Sequence, residues 1–217
     1  LENSLGRLEH ALQTLLPPEL AYACLPVPES VQFQFEEERA RMAHASNYRR
    51  REYWAGRECL RHALGRLGLP PAPILTDDDD LPVLPEGVRG SITHSKGHCA
   101  AVAGRNDFFQ ALGVDLERTD RLSPSAIRKT VHPLEAKFAN EDQQRATLLF
   151  SAKEAFYKLQ FPVWHTYANF QDLALAVEDT GGILELKVLE ISERFPEDLR
   201  FLAPMLRFRC RFVDDFV

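Results

Sequence analysis

Two carboxylates separated by one residue, Asp115 and Glu117, interrupt the otherwise apolar run Gly113-Val114-Asp115-Leu116-Glu117. On a strand, residues two apart point to the same face, so both acids converge there. Like charges held together repel, and a divalent cation is the usual remedy. The exposed end of an edge strand would accommodate them equally well. Further along, Phe150-Ser151-Ala152-Lys153-Glu154-Ala155-Phe156-Tyr157-Lys158 reads as helix, with Glu154 and Lys158 one turn apart and Lys153 adjacent. A Glu-Lys pair at this spacing is also common on solvated helices, where it contributes about 0.2–0.5 kcal/mol. The third element, Gly90-Ser91-Ile92-Thr93-His94-Ser95, ends in small hydroxyl residues and a histidine. Such a run can offer hydroxyl, imidazole and backbone donors to a phosphate, although a lone strand-end histidine is more often a structural hydrogen-bonder.

These groups need elements to position them. Between Arg39 and Arg66 eight arginines face only Glu52 and Glu58. Within that stretch Tyr53, Leu60, Leu64 and Leu67 recur at helical spacing, Arg50, Trp54, Arg57 and Arg61 line another face, and Gly68 is placed to stop the helix. The pattern predicts an amphipathic helix from about Ser46 to Leu67. A Pro-rich, acidic stretch from Pro70 through Asp77–Asp80 to Pro85 reads as a solvated loop, without the spaced ligands or turn glycine of a calcium loop. Strands are predicted at Gly90 to His94, Cys99 to Ala103 and Ala111 to Leu116, and helices at Ser123 to Asn140 and Asp142 to Leu159. Alternation at Phe170, Leu173, Leu175 and Val177, then at Ile183, Leu184, Leu186 and Val188 around Gly181-Gly182, predicts a hairpin. A last strand is expected between Met205 and Phe212. Each half thus offers a long helix followed by strands, which permits a duplicated α+β unit joined near Gly104 to Gln110.

Composition bounds the function class. The 217 residues are 45% hydrophobic and 27% charged, as in an ordinary globular chain. A net charge of -6 argues against broad nucleic-acid binding, which needs a basic surface. No apolar run reaches the roughly 20 residues of a membrane-spanning helix, and no secretory signal opens the chain, so a cytoplasmic protein without a membrane partner is expected. The absence of an initial Met is read as trimming or an arbitrary boundary, and residues before about Leu5 carry little inference. Cys24, Cys59, Cys99 and Cys210 form no C-x-x-C pair and are expected to be buried free thiols.

Taken in order, the three chemical motifs resemble those of the 4'-phosphopantetheinyl transferase superfamily. Gly90 to Ser95 is similar to its G-S-[IV]-[ST]-H-[ST] motif, Gly113 to Glu117 to its G-[IV]-D-[IVL]-E motif, and Phe150 to Lys158 to its [FW]-[ST]-x-K-E-[AS]-x-x-K motif. Tyr48 to Leu67, with Ala55-Gly56-Arg57, resembles a helix of the enterobactin-synthetase-component-D-like branch. The resemblance covers roughly Arg39 to Asp172. It departs at Asp77 to Pro85, where Val83-Leu84-Pro85 and an acidic run replace the family's basic residue, glycine and Trp-Pro.

The resemblance implies an α+β fold of two pseudo-symmetric halves, each a long helix packed on a small, mainly antiparallel sheet. Residues 1–107 would form the coenzyme A 3'-phosphate and adenine side, and residues 108–217 would carry the metal and catalytic motifs. The implied reaction transfers phosphopantetheine from coenzyme A to a serine hydroxyl of an acyl or peptidyl carrier protein, releasing adenosine 3',5'-bisphosphate. Fatty-acid, polyketide, siderophore and other peptide pathways all use such carriers. Asp115, Glu117 and Glu154 would hold Mg2+, or Mn2+ in its place. Glu154 and Lys158 are the expected catalytic residues. Arg51, Arg57, Thr93, His94, Asp115, Lys153 and Lys158 are the expected coenzyme A contacts. A monomer suffices for a site paired within one chain. The rival reading is an inactive homologue that binds coenzyme A or a carrier as a regulatory module.

Overall fold

A computed structural model describes residues 2–217, which divide into two compact units, the first ending at Val114 and the second spanning Asp115–Val217. The first unit runs α1 (Glu2–Leu15), β1 (Ala21–Pro26), α2 (Glu36–Arg41), α3 (Asn47–Arg66), β2 (Val88–Ser95) and β3 (His98–Arg105). Its sheet is antiparallel in the order β1-β3-β2. The second unit runs α4 (Pro124–Thr130), α5 (Ala136–Ala139), α6 (Gln143–Trp164), β4 (Leu173–Asp179), β5 (Leu184–Ile191), α7 (Glu197–Leu202) and β6 (Arg207–Cys210). Its sheet is antiparallel in the order β4-β5-β6. The α+β class and the two small sheets agree with the expectation from sequence.

In the first unit, α3 starts where the Ser46 hydroxyl accepts the Arg49 N–H and ends at Leu67, as its cap and periodicity predict. Ala55, Cys59, Leu60 and Ala63 of α3 pack on Ala101, Cys99 and Ala103 of β3. Two glycines let helix and sheet approach closely: a Cβ at Gly90 would lie 2.9 Å from Leu60 Cδ1, and one at Gly56 would lie 3.0 Å from Ile92 Cγ2. Arg57 and Arg61, set by the periodicity on a different face from Tyr53, Leu60 and Leu64, are both buried as well. Arg61 bonds Glu38, and Arg57 Nε donates to Ile74 O at 2.9 Å, so the Pro-rich segment is tied down over this side of the helix. The acidic run ends in a tight turn, closed by the Asp77 carboxylate accepting the Asp79 and Leu81 N–H groups.

The second unit corrects three boundaries. No strand forms over Ala111–Leu116. Just beyond it, Glu117 exchanges backbone hydrogen bonds with Val217 at 2.8 and 2.9 Å. The helix predicted from Ser123 to Asn140 is broken. Ser123 caps α4 and Pro124 opens it, but His132 precedes Pro133, and ψ of 121° at Val131 and 150° at His132 ends the helical run before a short turn and α5. The helix expected to end near Leu159 instead runs to Trp164 with Pro162 inside it, stopped by His165 in the left-handed region. Leu148, Leu149, Ala152 and Phe156 of α6 pack with Leu175, Leu186 and Phe195 into one core.

Cys24, Cys59 and Cys99 are buried and free, and Cys210 is free but partly exposed. Burial pushes the Cys24 thiol up to about 12, so it is inert as a nucleophile. Among the described residues no helix is long and apolar enough to cross a membrane.

Candidate active site

The catalytic candidates of the second unit meet around one turn of α6. Asp142 caps this helix by accepting the Arg145 N–H at 2.9 Å, and the resulting phase turns Ser151, Ala152, Lys153 and Phe156 inward. Glu154 is left half-buried, and Lys158 lies one turn on. Lys158 Nζ donates to Asp115 Oδ1 at 2.5 Å, with the Asp115 side chain only 5% exposed. Burial raises the Glu154 carboxyl pKa, the nearby Asp115 charge raises it further, and Lys158 and Arg121 oppose both effects. Glu117 lies 3.6 Å from Arg121. The structure therefore gathers Asp115, Glu154 and Lys158 into one electrostatic cluster, with Glu117 joined to it through Arg121.

Among the described residues, no three His, Cys, Asp or Glu side chains stand as a ready metal cage. The donor chemistry nevertheless fits a hard cation. Burial and the neighbouring Asp115 carboxylate together raise Glu154, and Lys158 supplies a positive charge beside both acids, so the cluster offers the hard oxygen donors such a cation takes.

Lys153 is placed differently from Lys158. Its Nζ donates to Glu135 Oε2 at 2.8 Å and to Thr130 O at 2.9 Å, and its side chain is 3% exposed. Burial lowers its pKa, while Glu135 works to keep it charged. Sequence reasoning missed Glu135. Its carboxylate also accepts the Leu175 and His132 N–H groups, fastening β4 and the turn before α5 to α6. The signal available was His132-Pro133-Leu134-Glu135, a capping box that marks a helix start.

Glu154 also borders a pocket of roughly 270 Å³, walled by Tyr157, Tyr167, Phe170 and Phe195. Tyr157 stacks on Phe161, and Phe161 meets Tyr167 edge-on, so the aromatic wall is continuous. Gln160, fully buried, donates to Thr166 O at 2.7 Å and holds the loop that carries Tyr167.

The first unit holds the remaining candidates. Ser91, Thr93 and Ser95 are buried on one face of β2, whereas His94 is exposed on the other, so Thr93 and His94 point to opposite sides of the strand. Ser91 Oγ accepts the Val114 N–H at 3.1 Å, securing the start of the acidic motif. His94 Nδ1 lies 3.2 Å from Glu52 Oε1. Arg57 is committed to Ile74 O and Thr76 Oγ1, with its guanidinium over the Tyr53 ring, and Arg51 reaches out to Glu29. The structure pairs none of the three basic candidates with another: each is bonded to its own partner.

Comparison with known proteins follows these two units. Residues 36–104 match the model of the 4'-phosphopantetheinyl transferase N-terminal domain, and residues 111–201 match that of the 4'-phosphopantetheinyl transferase superfamily. The chain is 36% identical over 169 residues to 4'-phosphopantetheinyl transferase PptT of Mycobacterium tuberculosis, covering 76% of this chain and 74% of the relative. It is 34% identical to 4'-phosphopantetheinyl transferase Svp of Streptomyces mobaraensis, over 74% of this chain and 68% of the relative. It is also 33% identical to enterobactin synthase component D of Salmonella typhi, over 54% of this chain and 51% of the relative.

Proposed function

This chain belongs to the 4'-phosphopantetheinyl transferase superfamily, and from that premise we propose that it moves 4'-phosphopantetheine from coenzyme A onto a carrier-protein serine. The observation that carries the reading is the raised Glu154 carboxyl, set against Asp115 and Lys158 at the mouth of an aromatic-walled pocket. A carboxyl whose pKa is raised is better matched to proton transfer than an ordinary surface glutamate.

In this reading the carrier serine hydroxyl attacks the phosphorus that bears the pantetheine arm. A phosphorus–oxygen bond forms as the pyrophosphate bridge breaks, and adenosine 3',5'-bisphosphate departs. Glu154 takes the serine proton, directly or through a water. Lys158 leaves Asp115 to meet the charge that accumulates on the leaving phosphate. Lys153, pinned to Glu135, steadies the pyrophosphate side by fixing the helix turn that carries Glu154. Asp115, Glu117 and Glu154 would hold Mg2+, with Mn2+ able to substitute, and that ion would neutralise pyrophosphate charge. The aromatic pocket suits the largely apolar pantetheine arm.

In the first unit, His94, Arg57 and Arg51 would receive the 3'-phosphate, for which a guanidinium fork is well matched, while Thr93, buried on the opposite face of β2, would support the strand rather than touch the phosphate with its side chain. Exposed Arg49 and half-buried Arg50 would attract an acidic carrier. The protein would work as a monomer in the cytoplasm, serving fatty-acid, polyketide or siderophore-type peptide carriers.

The deciding experiment is mass spectrometry of several apo-carriers incubated with the protein, coenzyme A and Mg2+. Gain of the phosphopantetheine mass on at least one carrier is expected. No gain on any of them, with coenzyme A still bound, would leave a regulatory homologue as the better account.

A further inference from the structure

Glu52 is an anomaly in its own sequence. It follows Arg49-Arg50-Arg51, and a carboxylate there opposes the binding of any anion those arginines attract. Its surroundings explain why it is there. Tyr48 lies one helical turn before Glu52, and its hydroxyl donates to the Glu52 carboxylate, a bond that raises the Tyr48 pKa. From the sheet, His94 brings Nδ1 to 3.2 Å from Glu52 Oε1. The Glu52 side chain is 12% exposed and that of His94 37% exposed, so the acid is largely covered while the ring remains accessible.

Both sequence and packing enforce this meeting. Gly90, Ile92 and His94 share one face of β2, the face that lies on α3. The strand comes this near because Gly90 has no side chain to collide with Leu60, and Gly56 none to collide with Ile92. Larger residues at either glycine would lift the strand end and carry His94 away from Glu52.

A carboxylate only accepts hydrogen bonds, so a hydrogen bond across this 3.2 Å contact requires the proton to be on Nδ1. The ring is thereby fixed in orientation, with Nε2 directed away from Glu52. We infer that Glu52 is a positioning residue for His94: it fixes the imidazole and its Nδ1 proton so that Nε2 is the atom offered to a phosphate oxygen of coenzyme A. A second proton on Nε2 turns the ring into a cationic donor, and Glu52 offsets the charge that this creates. The acid thus serves anion binding indirectly, by acting on the histidine. This inference rests on the proposed coenzyme A reading.

The test is a double-mutant cycle between Glu52→Gln and His94→Ala, read with coenzyme A and with dephospho-coenzyme A. Glu52→Gln should raise KM for coenzyme A about tenfold, the loss expected of one charge-assisted hydrogen bond, with kcat nearly unchanged. Dephospho-coenzyme A should be much less affected, and the double variant should be no worse than His94→Ala alone. Long-range proton–nitrogen NMR of the free protein should show the His94 proton on Nδ1, and Glu52→Gln should release it to Nε2. An unchanged KM, additive losses in the double variant, or an unchanged tautomer overturns the inference. A wild-type protein that loads no carrier and binds no coenzyme A fails at the earlier step instead, and the two failures are told apart by the wild-type assay alone.

Discussion

In the first unit Glu38, on the short helix α2, meets Arg61 of α3 at 2.8 Å and accepts the Ile74 N–H. In the second, Glu135, in the turn before α5, meets Lys153 of α6 at 2.8 Å and accepts the Leu175 N–H. Both glutamates are essentially inaccessible to solvent. The sheets correspond as well: a long helix leads into a hairpin, and a third strand lies beside the hairpin's second strand. That third strand comes from before the helix in the first unit (β1) and from after it in the second (β6). What differs is the charge next to each pin. Arg57 of α3 is matched to carbonyl and hydroxyl oxygens, whereas Glu154 of α6 is pushed up by burial and by Asp115. Equivalent scaffolds can therefore satisfy their ionisable groups in one half and leave one opposed in the other, and the opposed group marks where chemistry is expected.

Glu154→Gln tests that contrast with the largest effect. It should lower kcat for carrier loading by about 10²–10⁴-fold, the contribution of a positioned acid–base group, with an unchanged circular dichroism spectrum. Near-normal turnover would remove Glu154 from the mechanism. Next come the two pins. Glu135→Ala strands the buried Lys153 cation and should cost about 3–5 kcal/mol in urea denaturation, whereas Glu38→Ala leaves Arg61 paired with Glu58 at 2.9 Å and should cost less. A loss confined to one unit would break the correspondence between them.

Arg57→Ala comes third. It should cost about 1–3 kcal/mol of stability, because the Ile74 carbonyl and the Thr76 hydroxyl lose a buried donor. If Arg57 also meets the 3'-phosphate, affinity for coenzyme A should fall well beyond that for dephospho-coenzyme A. Equal losses for both would confine it to the scaffold.

The smallest effect is on stability at Glu154. Its folded pKa lies above its unfolded value, so between the two values the folded chain holds a proton that the unfolded chain has released. Stability of the natural protein therefore falls as pH rises through that interval, and Glu154→Gln removes the fall. The variant should melt slightly higher than the natural protein at neutral pH. The difference should vanish as pH drops into the ordinary carboxylate range.

Local signals were legible where local physics decides. The limits of α3 followed from the Ser46 cap and Gly68, and the β4–β5 hairpin from alternation around Gly181-Gly182, both of which have positive φ. The order of three short motifs was enough to identify the family. The boundaries that failed depend on distant partners. Glu117 and Thr119 pair with Val217 and Asp215, far along the chain, which no local signal announces. The helix α6 continues past Pro162, where its own aromatic ladder and the Gln160 bond to Thr166 support the last turns. Neither α1 nor β1 was expected from the sequence.

The sequence by itself determined which groups could do chemistry: two acids two apart, a Glu-Lys turn and a strand-end histidine, all set by short-range spacing. Only the tertiary structure decided what each charge does, because that depends on partners far along the chain and on burial. Lys153 and Lys158 are five positions apart on one helix, yet one is sealed against Glu135 and the other sits on Asp115. Arg57, which the family resemblance makes a coenzyme A contact, is buried and donates to the chain's own Ile74 carbonyl. Spacing fixes direction along an element, whereas the field at a charge comes from whatever the fold packs against it.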